Sequence, residues 1–504
     1  MGIIARQSIR GTIVTYIGVF VGFLTTFFVL TRFLTTEEIG LARVLIDTAT
    51  LFIGLAQLGT SSSIIRFFPY FKDNGQQASS KSPASHNGFF FWTVVIPFVG
   101  FLLFTLLYWA LHVPLQNLFE EKSPLFVDYY YAVLPLAFFM LYQTIFETNA
   151  NVLMRIVVPR MVRELWLRIF LLITYLLYAF RFVSLDGLVI LLCSSYGLAA
   201  LCNIVYLFAE GHISLSPDFK YIDRHLARRY LLYTLFQITA AIVTVITPTL
   251  SSFFITAQMG LNYTGIYAIA TYIATMVSVP NRSLNAISNP QLAQCIKDAD
   301  NASLQYLLRQ ISNNSLLIGG FILCLIWTNI DFIFTILPNG GSFAEGREVV
   351  LFLGLAQLLI ATFTSLVSVL NYSRYYYLSL VFSLLLTTLS VFLNNSLIPR
   401  YGMNGAAAAN LISYAVYYII LCISIIGLCK ASPFSLSQLK TTILLCMLFI
   451  LCFGIDYFLP DTSIYIVTIA KLALWCIAAI LAYLLRVSPE MNTIISDFFN
   501  RKTK

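Results

Sequence analysis

The chain has 504 residues, of which 59% are hydrophobic and 10% charged, with a mean hydropathy of +0.84. Soluble domains carry roughly 25% charged residues, so a globular protein is excluded. The formal net charge of +8 is accounted for by membrane topology and contact with anionic headgroups, and calls for no nucleic acid.

In chain order, "MGIIARQSIRG" is too short, and the apolar run behind it too long, for a cleaved signal peptide, so the first helix is expected to stay as an anchor. Uncharged runs long enough to cross a roughly 30 Å hydrocarbon core then recur to the end. They predict about 14 transmembrane helices, at 10–31, 40–65, 88–111, 128–152, 163–183, 187–209, 231–257, 264–287, 314–337, 349–371, 375–397, 404–428, 441–459 and 464–485. The connections alternate between short, nearly neutral ones ("RFVSLD", "TAQMGLN", "PNGGSFAEG", "PDTS") and longer basic ones ("RIVVPRMVR", "SPDFKYIDRHLARR", "QCIKDADNASLQYLLRQ"). Most of the Lys and Arg residues fall in the second set and at the termini, which predicts that both termini are cytoplasmic. The nine cysteines form no CxxC and no His-paired metal spacing, so they read as small apolar packing residues. No metal ligand set is expected.

An internal repeat is legible. "TTEEIGLARVLIDTATLF" lies over "GLNYTGIYAIATYIATMV", with Gly40 on Gly265. "LDGLVILLCSSYGLAAL" lies over "MNGAAAANLISYAVYYI", with Gly187 on Gly405. The two offsets nearly agree. The predicted architecture is therefore an all-α polytopic membrane protein of two pseudo-symmetric six-helix lobes plus a terminal helix pair. The lobes are 1–209 and 231–429, joined by a cytoplasmic linker at 210–230, and helices 13 and 14 with the tail occupy 430–504. A cavity between two such halves is the expected transport site.

Several charges fall inside predicted spans, where each costs about 2.5–3.5 kcal/mol on insertion scales and faces a cavity or a partner. Arg43 and Asp47, at i and i+4, share a helix face. They either lock the second helix against a neighbour or form a polar stripe on the cavity. On one continuous helix at 1.5 Å per residue, Arg66 would lie about 30–35 Å from Arg43 at the cytoplasmic mouth. Asp47 and Glu147 are candidate coupling sites for H⁺ or Na⁺. Tyr414 and Tyr417 are candidates for stacking on sugar, against the alternative of packing or anchoring. No catalytic residue is expected, because the outer loops are short and His112, the only plausible outer histidine, has no clustered partner.

The stretches "ARQSIRGTIVTYIGVFVGFLTTFFVLTRFLTTEEIGLARVL", "LGTSSSIIRFFPYF" and "PRYGMNGAAAANLISY" resemble the Wzx-type oligosaccharide flippases. These belong to the MOP superfamily, which also holds the MATE drug exporters and the lipid II flippases. The resemblance implies a V of two six-helix lobes that opens alternately to either side of a bacterial inner membrane. It further implies a cationic interior that meets a lipid-linked diphosphate, a role that falls by position on Arg43 and Arg66, with Arg suited to phosphate. The implied partners are a lipid-linked oligosaccharide for O-antigen or capsular polysaccharide assembly, membrane lipids and a polysaccharide polymerase. No cofactor is implied beyond a coupling H⁺ or Na⁺. A MATE-like, cation-coupled drug exporter is the alternative reading, with a membrane polysaccharide polymerase or ligase behind it.

Overall fold

The computed structural model describes residues 3–71, 88–153, 155, 157–209, 228, 230, 233–234, 247, 249–458 and 463–484. Among these the secondary structure is helical throughout, with no strand. The chain divides into two compact units, Met1–Gly265 and Ile266–Lys504. The predicted seventh span, 231–257, and the linker at 210–230 lie largely outside the described residues.

In the first unit, α1 (Ile3–Leu24) continues through a π-helical turn, Thr25–Leu30. α2 (Thr36–Ala56) begins at a capping box: the Thr35 hydroxyl accepts from the Glu38 amide and the Glu38 carboxylate accepts from the Thr35 amide. This satisfies two of the donors that a helix start leaves open, so "TTEE" starts the helix by its own chemistry. α2 ends at Leu58 and Gly59, which have φ of 48° and 66°, and α3 (Thr60–Phe71) follows. The predicted second span is therefore two helices. Left-handed residues interrupt the i→i−4 ladder, so the distance reckoned from Arg43 to Arg66 along one helix does not hold. The unit continues with α4 (Phe89–Ala110), α5 (His112–Phe119), α6 (Pro124–Asp128) and α7 (Val133–Val152). A second π-turn, Val162–Trp166, leads into α8 (Leu167–Ala179), and α9 (Leu185–Ala209) follows. α7 packs against α2 and α9 around Leu45, Ala49, Leu136, Leu141, Ile145 and Leu192.

α10 (Leu261–Thr275) begins within the first unit and runs on into the second. The second unit continues with α11 (Val279–Lys297), α12 (Asn301–Thr328), α13 (Ile330–Ile336), α14 (Arg347–Tyr372), α15 (Tyr377–Cys429), α16 (Leu436–Phe458) and α17 (Ile464–Leu484). The connection "QCIKDADNASLQYLLRQ" reads as a loop from its charge, yet it is mostly helix. Leu304, Leu308 and Ile311 are buried on one face, and averaging hydropathy over a span-length window hides such an amphipathic segment. α15 joins two predicted spans across Gly402, whose φ of 58° and ψ of −136° suit only glycine. α14 packs between α12 and α15, and α16 packs against α12 and α17.

Eight helices are long and apolar enough to cross a membrane among the described residues, and α15 covers two predicted spans. Their apolar windows differ sharply in enclosure: 72% buried in α2 but 22% in α4 and α16. Leu106, Trp109 and Ile450 stand exposed on the latter two, as lipid-facing side chains do. Where lipid is the solvent, helices associate by close packing rather than by hydrophobic drive. Gly40 illustrates this: a Cβ there would run into the Leu261 carbonyl oxygen, and one on Gly265 into that of Thr36. The contact is reciprocal, and both pairs are about 225 residues apart, the offset of the internal repeat. Thr36 and Asn262 also join their side chains there.

Candidate functional site

The most enclosed of the apolar helices carries the first charges. Arg43 Nε donates to Asp47 Oδ2 at 2.7 Å, and Asp47 is only 5% exposed. The i, i+4 pair predicted from spacing is thus formed, on a helix with little lipid contact.

Glu147, near the end of α7, is buried and does not pair with Asp47. Its Oε1 meets Arg163 at 2.7 Å. Arg163 also contacts Glu164 at 3.1 Å, and Glu164 contacts Arg168 at 3.3 Å. Two acids and two bases therefore form one chain of alternating sign. The π-turn places Arg163 and Glu164, and such turns recur at functional sites. The backbone of α1 comes close enough at Gly18 that a Cβ there would overlap the Glu164 carbonyl. Sequence reading misses these three charged residues: Arg163 closes the basic connection "RIVVPRMVR", and Glu164 and Arg168 fall at the start of the predicted span 163–183, where charges near a span end read as interfacial. The signal was present in Glu147 itself, since a carboxylate in a span needs a partner.

Arg66 is exposed on α3, with its guanidinium 4.3 Å from the centre of the Tyr233 ring, a cation–π distance. It stands on a different helix from Arg43. In the second unit Tyr417 is buried in a cluster with Leu366, Leu421 and Ile425, and lies edge-on to Tyr418 at 5.0 Å. Protein side chains therefore enclose the Tyr417 ring. Tyr414, half-buried, stacks on Tyr418 with ring centres 6.3 Å apart. His112 stacks on Tyr131 at 5.2 Å, and all nine cysteines are free thiols.

The polysaccharide biosynthesis protein family matches residues 5–294, more than half of the chain. The chain belongs to that family. None of the curated proteins matches it. Several solved structures share the fold of this polysaccharide biosynthesis protein. The lipid II flippase MurJ in an inward closed conformation superposes with a TM-score of 0.71 at 13% identity, over 95% of this chain and 100% of its own. An inward-facing multidrug resistance MATE family transporter of the MOP superfamily gives 0.58 at 15% identity, over 84% and 96%. A MOP superfamily transporter from Pyrococcus furiosus, described as having a binding pocket of reverse polarity, gives 0.56 at 14%, over 84% and 96%. These relatives are flippases and transporters rather than enzymes. The family member described here is accordingly an all-α, multi-pass membrane protein with the MOP transporter fold.

Proposed function

We propose that this protein is a flippase for a lipid-linked oligosaccharide. It carries a polyprenyl-diphosphate-linked repeat unit from the cytoplasmic to the periplasmic leaflet of a bacterial inner membrane, for O-antigen or capsular polysaccharide assembly. The family match carries the reading, and the fold shared with a lipid II flippase supports it. The physical problem is that sugar and diphosphate cannot cross hydrocarbon unaided, whereas the lipid tail remains soluble in it. Alternating access solves this by enclosing the head while the tail stays in the bilayer, and no bond is made or broken. Arg43 meets the diphosphate, with Arg163 and Arg66 as further cations along the route. The excess of Lys and Arg in alternate connections supports cytoplasmic termini. A polysaccharide polymerase is the downstream partner.

Deleting the gene and separating lipid-linked glycans by leaflet tests this. Repeat units held on the cytoplasmic side, and released by the wild-type protein but not by a stably expressed Arg43→Ala, are the expected result. Unchanged glycans in a strain without a second flippase would reject the reading. Altered drug susceptibility in that strain would favour the MATE-like exporter, which the buried acids Asp47 and Glu147 suit. Asp47 and Glu147 are the proposed coupling sites for H⁺ or Na⁺. Glu147→Gln leaves Arg163 paired with Glu164, so it is expected to fold but to lose dependence on the ion gradient in proteoliposomes. Gradient dependence that persists would make Glu147 purely structural.

A further inference from the structure

A cavity of about 520 Å³ opens within the second unit at the membrane face where α12 and α16 end and α14 and α17 begin. Its lining includes Asn329, Asp331, Arg347, Phe453, Asp456 and Lys471. None of these belongs to the charges assigned to transport above. Lys471 is the most buried of these charges, 6% exposed, and its ammonium donates to the Thr328 carbonyl at 2.6 Å and lies 2.6 Å from Asp456. At the mouth Arg347 pairs with Asp331 at 3.1 Å, both about half exposed. The walls thus present two cations and two anions. A wholly anionic ligand would meet Asp331 and Asp456, and a wholly cationic one would meet Lys471 and Arg347. Only a ligand of both signs suits the pair of ion pairs.

Asn329 is fixed in the cavity wall, its amide nitrogen donating to the Leu325 carbonyl at 2.9 Å. A primary ammonium can donate N–H to the Asp331 and Asp456 carboxylates, which a quaternary ammonium cannot. Phe453 lines the cavity and is 68% exposed on the lipid-facing side of α16. The volume falls in the range of small-molecule sites, roughly 300–1,000 Å³.

We propose that this cavity holds the headgroup of a zwitterionic phospholipid that carries a phosphate and a primary ammonium. Arg347 and Lys471 face the phosphate. Asp331 and Asp456 face the ammonium, and the acyl chains leave past Phe453. The site is separate from the transport route and tunes the protein to the lipid of one leaflet.

The test is native mass spectrometry of the full-length protein in detergent, offered phosphatidylethanolamine, phosphatidylcholine or phosphatidylglycerol in turn. Retention of phosphatidylethanolamine roughly tenfold above the other two is expected, equivalent to about 1.4 kcal/mol. The double variant Asp331→Asn with Arg347→Gln leaves net charge unchanged at a half-exposed mouth, so it should fold, and it should remove the preference. The same double variant should also weaken the discrimination between phosphatidylethanolamine and phosphatidylcholine, whose quaternary ammonium has no N–H to give to Asp331. Equal retention of all three lipids would overturn the proposal. So would a preference that survives in the folded double variant. Soluble glycerophosphoethanolamine should compete poorly with the diacyl lipid, and equal competition would reject a lipid occupant.

Discussion

Arg43 and Asp47 show what a single pair can contribute when lipid and protein replace water. In a solvated helix an i, i+4 ion pair adds about 0.2–0.5 kcal/mol. Here Asp47 is almost fully buried, so its carboxylate depends on the guanidinium 2.7 Å away. Breaking a buried pair from one side costs about 3–5 kcal/mol because a charge is left alone. The Arg43 side chain is one-third exposed, which brings the expected loss for Arg43→Ala down to about 1–3 kcal/mol. Removing both members with Arg43→Ala and Asp47→Ala should cost less than removing the arginine alone, as read by thermal unfolding in detergent. A double variant less stable than either single variant would contradict pairing as the source. The spacing of these two residues made the pair legible in the sequence. The pairing of Glu147 was not legible, because its partner Arg163 belongs to a later helix and is presented by a π-turn.

At the scale of elements, backbone contacts set the strongest constraints. Alanine is favoured over glycine by about 1 kcal/mol in a helix interior, so propensity alone predicts that Gly→Ala stabilises. At Gly40 and Gly265 the added Cβ would overlap a carbonyl oxygen of the facing backbone, which no rotamer change relieves. Overpacking of this kind costs about 1–3 kcal/mol or more, so net destabilisation is expected. Gly427 and Gly454 have nothing within 4 Å of a built Cβ, so alanine there should be neutral or stabilising. Unfolding midpoints of the four single variants decide the matter, and a uniform response would refute it. α12 offers a pH-dependent case. Its N-cap Asp300 accepts from the Ser303 side chain and amide, and these bonds hold the carboxyl below its ordinary value. A carboxylate with a lowered folded-state pKa stabilises the fold at pH above its unfolded value of about 4. That contribution is lost as pH falls through the lowered folded value. Hydrogen exchange in the first turn of α12 should therefore lose protection on acidification in the wild type. Asp300→Ala should have lost that protection already at neutral pH. Equal protection in the two proteins at neutral pH would show that the cap is idle.

For the whole molecule, orientation is the property that most needs a direct measurement. The basic connections predict that Ala302, in the first turn of α12, faces the cytoplasm, and that Gly341, between α13 and α14, faces outward. Both positions are exposed. Ala302→Cys and Gly341→Cys, each in a background without the native cysteines, should label with a membrane-impermeant maleimide only at 341 in intact cells. Labelling at 302 instead would invert the topology and with it the direction assigned to the transport route. The lipid-facing surfaces of α4 and α16 and the enclosure of α2 apply equally to either orientation, because burial does not distinguish the two sides of a bilayer.

The amino-acid sequence alone determined that the chain is a membrane protein, that it is helical and that its halves carry a repeat. These follow from composition, hydrophobic run length and self-similarity, whereas the start of the second helix at the Thr35 capping box, ahead of the expected residue 40, came from the structure. Family membership was legible in the sequence as well, since the first 70 residues hold the most specific stretches. The tertiary structure alone decided the break at Leu58 and Gly59 that separates Arg66 from the helix of Arg43. It also decided the enclosure of Tyr417, the partnering of Glu147 and the gathering of Asn329, Arg347, Asp456 and Lys471 around one cavity. Each of these depends on which helices come together in space, and contacts between residues far apart in the chain leave no periodic trace in the sequence.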